Sequence, residues 1–370
     1  MKKYWIKLIA VFAVFAMLQN HVFIGCAFGE AQVPDGMGGP ETAATEETDS
    51  PDSSTAPAQE ATPPETTNGS TRQSSYVFQP KVCSVYMEEV FGKAMCETWF
   101  HLVDAVMAGK DTFACPDQHT YDWVMGQFPI RCFPVLTELI DFAYDRENSV
   151  VDGVASFTYL VPREEAARRI GEFAQQVQGI LNDVLEDEYS DFEKALALYD
   201  YFSHNYTYDY ETEQKTYDTF VDYTTTYRLF ESGTGICFEI ARAYSYLLMQ
   251  AGVDATTVMG GGHEWSYVRL NGINYHVDPT FAIDTWSSLA YFMMTDEQRE
   301  ATGCGKDSFV FVSNYSQDHP HPEYTADDDT FGPLWERRLE AFFPRENRLR
   351  CWQYTGDGEK DYLDFDYTGY

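Results

Sequence analysis

The sequence predicts an α+β protein, and three observations carry that reading. Helix-period apolar runs dominate up to about residue 205 and return from Cys237 to Met249. After them, period-two segments meet at Asn271-Gly272, a strong two-residue hairpin signal. The chain has 370 residues, 44% hydrophobic and 16% aromatic, enough to fold around a core as one large domain or two ordinary ones. Acidic side chains number 59 against 25 basic, a net charge of −34. Phosphate backbones repel such a surface, so nucleic acid is excluded as a partner.

In chain order, Lys2, Lys3 and Lys7 precede an apolar run from Leu8 to Leu18 and a polar break at Gln19-Asn20-His21. That layout is a signal peptide over residues 1–29, with a retained signal anchor as the rival because Val22 to Phe28 prolongs the apolar character. Ala27-Phe28-Gly29 offers a small-x-small cleavage site. Phe23-Ile24-Gly25-Cys26 is close to a bacterial lipobox, with Phe23 where Leu is usual; lipidation of Cys26 would make a peripheral membrane tether. Both routes place the protein at the cell surface or outside it. Residues 30–75 carry nine acids, one base and no aromatic, the composition of an extended disordered linker. Residues 1–29 hold three lysines and no acid, so the remainder stands at −37, and the linker's share leaves −29 on residues 76–370.

From Tyr76 to residue 189 the reading is a mainly helical N-terminal region. Helices are expected over Val85–Met107, Tyr121–Phe128 and Val135–Tyr144. A strand with one buried face follows over Val154–Val161, then a long helix after Pro162 striped by Ile170, Phe173, Val177, Leu181 and their neighbours. A further helix starts at Ser190, whose Ser-Asp-Phe-Glu is a capping box. The polar, tyrosine-rich stretch 210–228 is expected as a loop. Residues 190–302 form the expected core. Residues 303–370 form a C-terminal extension with a strand at Phe309–Val312, a helix at Trp335–Phe343 and a hairpin about Gly356-Asp357-Gly358.

The chemistry concentrates after Gly233. Gly233-Thr234-Gly235-Ile236 is a turn that delivers Cys237 into the first turn of a helix ended by Gly252. There the unpaired N–H groups and the positive end of the dipole favour a thiolate. Three glycines, Gly260 to Gly262, then precede a strand from His263 to Leu270. With Asn271-Gly272 as the hairpin loop, paired residue numbers sum to 543. Trp265 therefore faces Asp278, and His263 lies diagonal to it, within reach of one hydrogen bond. A helix-start thiol, a histidine base and an orienting carboxylate make a nucleophile triad. His276 shares a face with Asp278 and competes with His263 as the base. A structural reading, with core cysteine, strand histidine and turn aspartate, competes with the whole.

Gly235-Ile236-Cys237 through Ala241, His263-Glu264-Trp265 and Tyr275-His276-Val277-Asp278-Pro279-Thr280-Phe281 resemble the Cys, His and Asp blocks of the transglutaminase-like superfamily, its bacterial secreted members above all. The stretches Asn205 to Asp209 and Leu289 to Glu297 resemble its flanks. The resemblance implies a papain-like core, the cysteine helix packed on an antiparallel sheet that bears the histidine and the aspartate. It implies catalysis by Cys237, His263 and Asp278 on amide bonds of proteins or peptides through a thioester, as acyltransferase or protease, without cofactor or metal. A non-catalytic extracellular binding module on the same fold is the alternative. Glu264 and Ser266 depart from the pattern, which often has a small residue and Asn there, so Glu264 bears on basicity or on selection of a basic substrate. The acidic balance favours basic, amine-bearing or cell-wall-associated substrates. His319-Pro320-His321 and Asp327-Asp328-Asp329 lack the interleaved spacing of ligand loops, so neither is read as a metal site. Of eight cysteines, Cys26 falls in the signal and Cys237 is the nucleophile; the other six are open to pairing or to staying reduced.

Overall fold

The computed structural model describes residues 74–141, 149–218, 225–283, 285, 287–303, 305, 308–309 and 324–370. The expected signal peptide, Cys26, nearly all of the linker, His319 and His321 lie outside the described residues. Tyr76 is already anchored, its backbone bonding the Asn182 side chain in both directions at 2.9 and 3.0 Å.

Helices α1 (Val85–Phe91) and α2 (Lys93–Met107) replace the single expected helix, because Gly92 sits between them at φ 83°, outside helical space. Strand β1 (Thr112–Ala114) and α3 (Gln118–Cys132) follow, α3 enclosing the expected Tyr121–Phe128. Of the helix expected over Val135–Tyr144, the described part is a 3-10 turn (Pro134–Glu138) and then strand β2 (Ile140–Asp141), while residues 142–144 lie outside the described residues. The backbone of β2 is drawn off to pair with β5 (Thr158–Tyr159). The expected strand over Val154–Val161 is divided. Its first part, β4 (Val154–Ser156), joins β1 and β3 (Val150–Val151), and its second part is β5.

Helix α4 (Arg163–Val184) starts behind Pro162 with Glu164 and Glu165 in its first turn, where acids suit the dipole. Its stripe Ala166, Ile170, Phe173, Val177 and Leu181 is buried. Helix α5 (Asp191–Asn205) opens on the Ser190–Glu193 capping box, both reciprocal bonds being present. The stretch expected as a loop contains α6 (Tyr210–Asp218) and α7 (Thr226–Ser232), with β6 (Thr207–Tyr208) before them. Asp209 and Thr225 accept from backbone N–H groups at their starts and so cap both.

Strand β7 (Thr234–Gly235) pairs parallel with β6 and leads into α8 (Cys237–Gln250). Strands β8 (Asp254–Gly260), β9 (His263–Leu270) and β10 (Ile273–Val277) follow, then α9 (Pro279–Ala282), α10 (Asp296–Ala301) and β11 (Ser308–Phe309). The sheet order is β10-β9-β8-β11, all antiparallel, and Ile273 opposes Leu270 as the hairpin register requires. Residues 310–312 of the expected strand lie outside the described residues.

The C-terminal segment is a three-stranded antiparallel sheet, β12 (Arg338–Phe343), β13 (Arg348–Tyr354) and β14 (Lys360–Asp366), with the expected hairpin between the last two. Of the helix expected over Trp335–Phe343, Trp335 ends a 3-10 turn (Gly332–Leu334), and Arg338–Phe343 is therefore a strand. Cross-strand partners Leu339–Cys351 and Phe342–Leu349 outweigh its helical spacing, and Pro344 ends it. These elements cluster as one unit from Ser74 to Tyr370, helices against the four-stranded sheet. No helix among the described residues is long and apolar enough to cross a membrane.

Candidate functional site

Cys237 is the first residue of α8, and its helix start is held from three sides. Glu239, fully buried, accepts from the Ile236 N–H at 2.9 Å. The same carboxylate takes a bidentate pair from Arg228 at 2.9 and 2.6 Å, and Arg228 also reaches Asp209 at 2.9 Å. Burial raises the Glu239 carboxyl above its ordinary range, although Arg228 pulls it down. Asp209, partly desolvated, is still lowered to about 2 by the Thr212 amide and Arg228. Gly235 is closely approached: a Cβ there would stand 2.8 Å from the Leu229 side chain and 3.2 Å from Glu239 Oε2, so a larger residue would displace the side chains under Cys237.

The helix is fixed to the sheet by buried hydroxyls. Ser245 Oγ lies 3.0 Å from the Thr256 carbonyl and 2.9 Å from Ser266 Oγ, and Ser266 Oγ lies 3.0 Å from the Ala241 carbonyl, so the two hydroxyl protons are shared among these three contacts. The departure at Ser266 thus serves packing. Glu264 points away from His263 by strand alternation and meets Arg242 in a bidentate pair, both bonds 2.8 Å, with its side chain 3% exposed. Its carboxylate is spent inside the protein, which overturns its expected bearing on substrate choice.

The three glycines before His263 do different work. Gly261 and Gly262 form the two-residue β8–β9 turn at φ 57° and 79°, and a Cβ on Gly260 would lie 1.7 Å from the Gly305 carbonyl oxygen. Beside this turn, His263 Nε2 meets Asp278 Oδ2 at 2.7 Å. The imidazole stacks on Phe281, centroids 4.8 Å apart. The Cys237 thiol is close enough to the ring to raise its basicity, and with Nε2 on Asp278 the nitrogen left for a second partner is Nδ1. Burial pulls the ring's pKa down, but Asp278 and then Cys237 outweigh it, raising it from 6.5 to about 10. The structure thus brings the three residues singled out from sequence together, with His263 and Asp278 hydrogen-bonded and Cys237 beside the ring.

Asp278 is fully buried. Its Oδ1 accepts from the Thr280 and Phe281 amides at 3.0 and 3.4 Å, capping α9, and its Oδ2 also accepts from Arg299 Nη1 at 2.8 Å. Desolvation raises its pKa, yet His263 and Arg299 lower it to about 2. Arg299, wholly buried on α10, lays its guanidinium over Trp265 at 4.0 Å. Sequence reasoning missed it, together with Glu239, Arg228 and Asp209. Nothing local marks Arg299, which lies 21 residues beyond its partner. His276, the rival base, is buried with Nδ1 accepting from Trp265 at 2.8 Å and Nε2 on Asp296 at 2.7 Å.

Asp328 accepts from the Tyr275 hydroxyl at 2.8 Å. Among the described residues, no group of three or more His, Cys, Asp or Glu side chains is arranged to hold a metal ion. No curated protein matches the chain. Residues 178–289, a span that holds Cys237, His263 and Asp278 and stops short of Arg299, match the family model of the transglutaminase-like superfamily; the chain carries a domain of that superfamily.

Proposed function

We propose that the protein is a transglutaminase-like cysteine enzyme with a papain-like active centre, acting on amide bonds of proteins or peptides. The observation that carries this is the order of contacts from a helix-start thiol to a histidine whose far nitrogen is held at 2.7 Å by a buried aspartate. Cys237 as thiolate attacks the amide carbonyl, with His263 storing the proton as imidazolium. The Cys237 and Phe238 N–H groups, at the start of α8 where the helix supplies no acceptor, are placed to meet the developing oxyanion. The C–N bond then breaks, His263 gives its proton to the leaving amine, and a thioester remains on Cys237. Water or a second amine releases the acyl group. Asp278 fixes the ring orientation and stabilises its charged form.

The charge of −29 on residues 76–370 favours basic or amine-bearing substrates by steering. Met1 to Gly29 supports export, hence action outside the cell or at its surface. The test compares wild type with Cys237→Ala against iodoacetamide at neutral pH, with labelled positions read by mass spectrometry. Wild type is expected to label first and fastest at Cys237. Equal labelling of the two proteins would overturn the catalytic reading and leave the binding-module alternative. Incubation with a glutamine peptide, with and without a primary amine, then separates hydrolysis from acyl transfer.

A further inference from the structure

Three more thiols gather in the helical corner formed by α1, α2 and α3. Cys83 Sγ lies 3.2 Å from Cys96 Sγ. Cys132, whose thiol points to Met87 Sδ at 3.5 Å, is near enough to Cys83 to push that thiol's pKa up. Cys115 and Cys351 stand apart from this group, each with its thiol on a carbonyl, of Asp117 at 3.3 Å and of Leu363 at 3.7 Å. Within the trio only Cys83 is half-buried; Cys96 and Cys132 are buried. Cys83 stands one residue before Ser84, the N-cap of α1, and Cys96 lies in the first turn of α2. A link between them would span the Gly92 break.

We propose that Cys83 and Cys96 are an oxidation site, closed to a disulfide by exchange with an external disulfide, and that Cys132 stays a thiol beside it. Cys83, the less buried of the two residues, loses its proton to solvent and attacks one sulfur of the external disulfide. That S–S bond breaks, and one half leaves as a thiol. Cys96 then loses its proton and attacks Cys83, expelling the other half as a second thiol. The protein gives up two electrons and two protons, which the external disulfide takes up as two thiols. Both protein thiols are held well above the ordinary range, Cys83 chiefly by the nearby Cys132 and Cys96 by Cys83, so the pair reacts more slowly than a thiolate would.

The link would matter because α1 clamps the sheet that carries His263 and Asp278. The Val85 N–H donates to Asp254 Oδ1 at 2.7 Å, Tyr86 Oη donates to Asn274 Oδ1 at 2.7 Å, and Glu89 pairs with Arg269. A disulfide at the foot of α1 would staple this clamp to α2.

The experiment uses the full chain carrying Cys237→Ala, so that the proposed nucleophile cannot compete and the outcome does not depend on the catalytic reading. One sample is treated with oxidised glutathione and one with dithiothreitol. Both are denatured, alkylated with iodoacetamide, digested and weighed. In the oxidised sample we expect a Cys83–Cys96 linked peptide, two hydrogens lighter than the reduced pair, with Cys132 alkylated. Its thermal midpoint should rise by several degrees over the reduced sample, a difference that Cys96→Ser abolishes. Alkylation of both Cys83 and Cys96 after oxidation, or a Cys83–Cys132 link, overturns the assignment even if Cys96→Ser does not fold.

Discussion

His263 and His276 stand on neighbouring strands, β9 and β10, and each meets an aspartate at 2.7 Å, Asp278 and Asp296 respectively. The carboxylate contact does not separate them; the second ring nitrogen does. In His276 it accepts from Trp265, so both nitrogens are engaged inside the protein, and the ring is buried mid-strand. In His263 it faces a thiol, and the ring sits beside a glycine turn with its side chain 12% exposed. A histidine held by an acid is oriented, and a histidine that also keeps a nitrogen for a reacting atom can move a proton.

Substitution at the two histidines gives the widest separation. His263→Gln should slow Cys237 alkylation and amide turnover by about 10²- to 10⁴-fold. His276→Gln should leave the labelling rate near wild type. It should cost about 1–3 kcal/mol in a denaturant titration as Trp265 and Asp296 lose their partner.

Asp278→Asn tests the electrostatic half of the contrast. The His263 ring, raised from 6.5 to about 10, should titrate nearer 6.5 in the variant when followed by NMR of its ring protons. The raised pKa gives stability that is fully present below 6.5 and lost as pH rises through about 10. The lowered Asp278 gives stability present above 3.8 and lost as pH falls through about 2. The wild-type advantage over Asp278→Asn should therefore peak between about 4 and 6.5 and shrink on the alkaline side.

Glu264→Gln should leave the labelling rate unchanged and cost about 2–3 kcal/mol by equilibrium unfolding, because it strands a largely buried Arg242. A slowed labelling rate would restore to Glu264 the role in basicity that its position denies. The smallest effect is expected at the glycine turn. Gly262→Ala places a Cβ at φ 79° with no atom in the way, costing about 1 kcal/mol, read as a small drop in thermal midpoint.

Much of this site was legible because it is made of local patterns. Asn271-Gly272 sets the β9–β10 register, and that register alone brings His263 diagonal to Asp278. Ser190 with Glu193 announces the start of α5 from four residues. What stayed hidden depends on contacts made far along the chain. Arg299 reaches Asp278 across 21 residues through a six-residue helix without an apolar period of its own. Arg228 looked like loop, yet it closes the Glu239 network under Cys237. Leu339 and Phe342 satisfied a helical spacing and became a strand, since β13 offered them partners that no window around them contains.

The carboxylate of Asp278 has a consequence for which side chains its position will accept. Everything that converges on it is a donor: two backbone N–H groups on one oxygen, an imidazole and a guanidinium on the other. An asparagine is nearly the same shape, but whichever way its amide turned, the NH₂ would confront N–H groups and leave them short of an acceptor. The position is thus written for a residue that only accepts, at both of its tips, and an isosteric replacement there is not a conservative one.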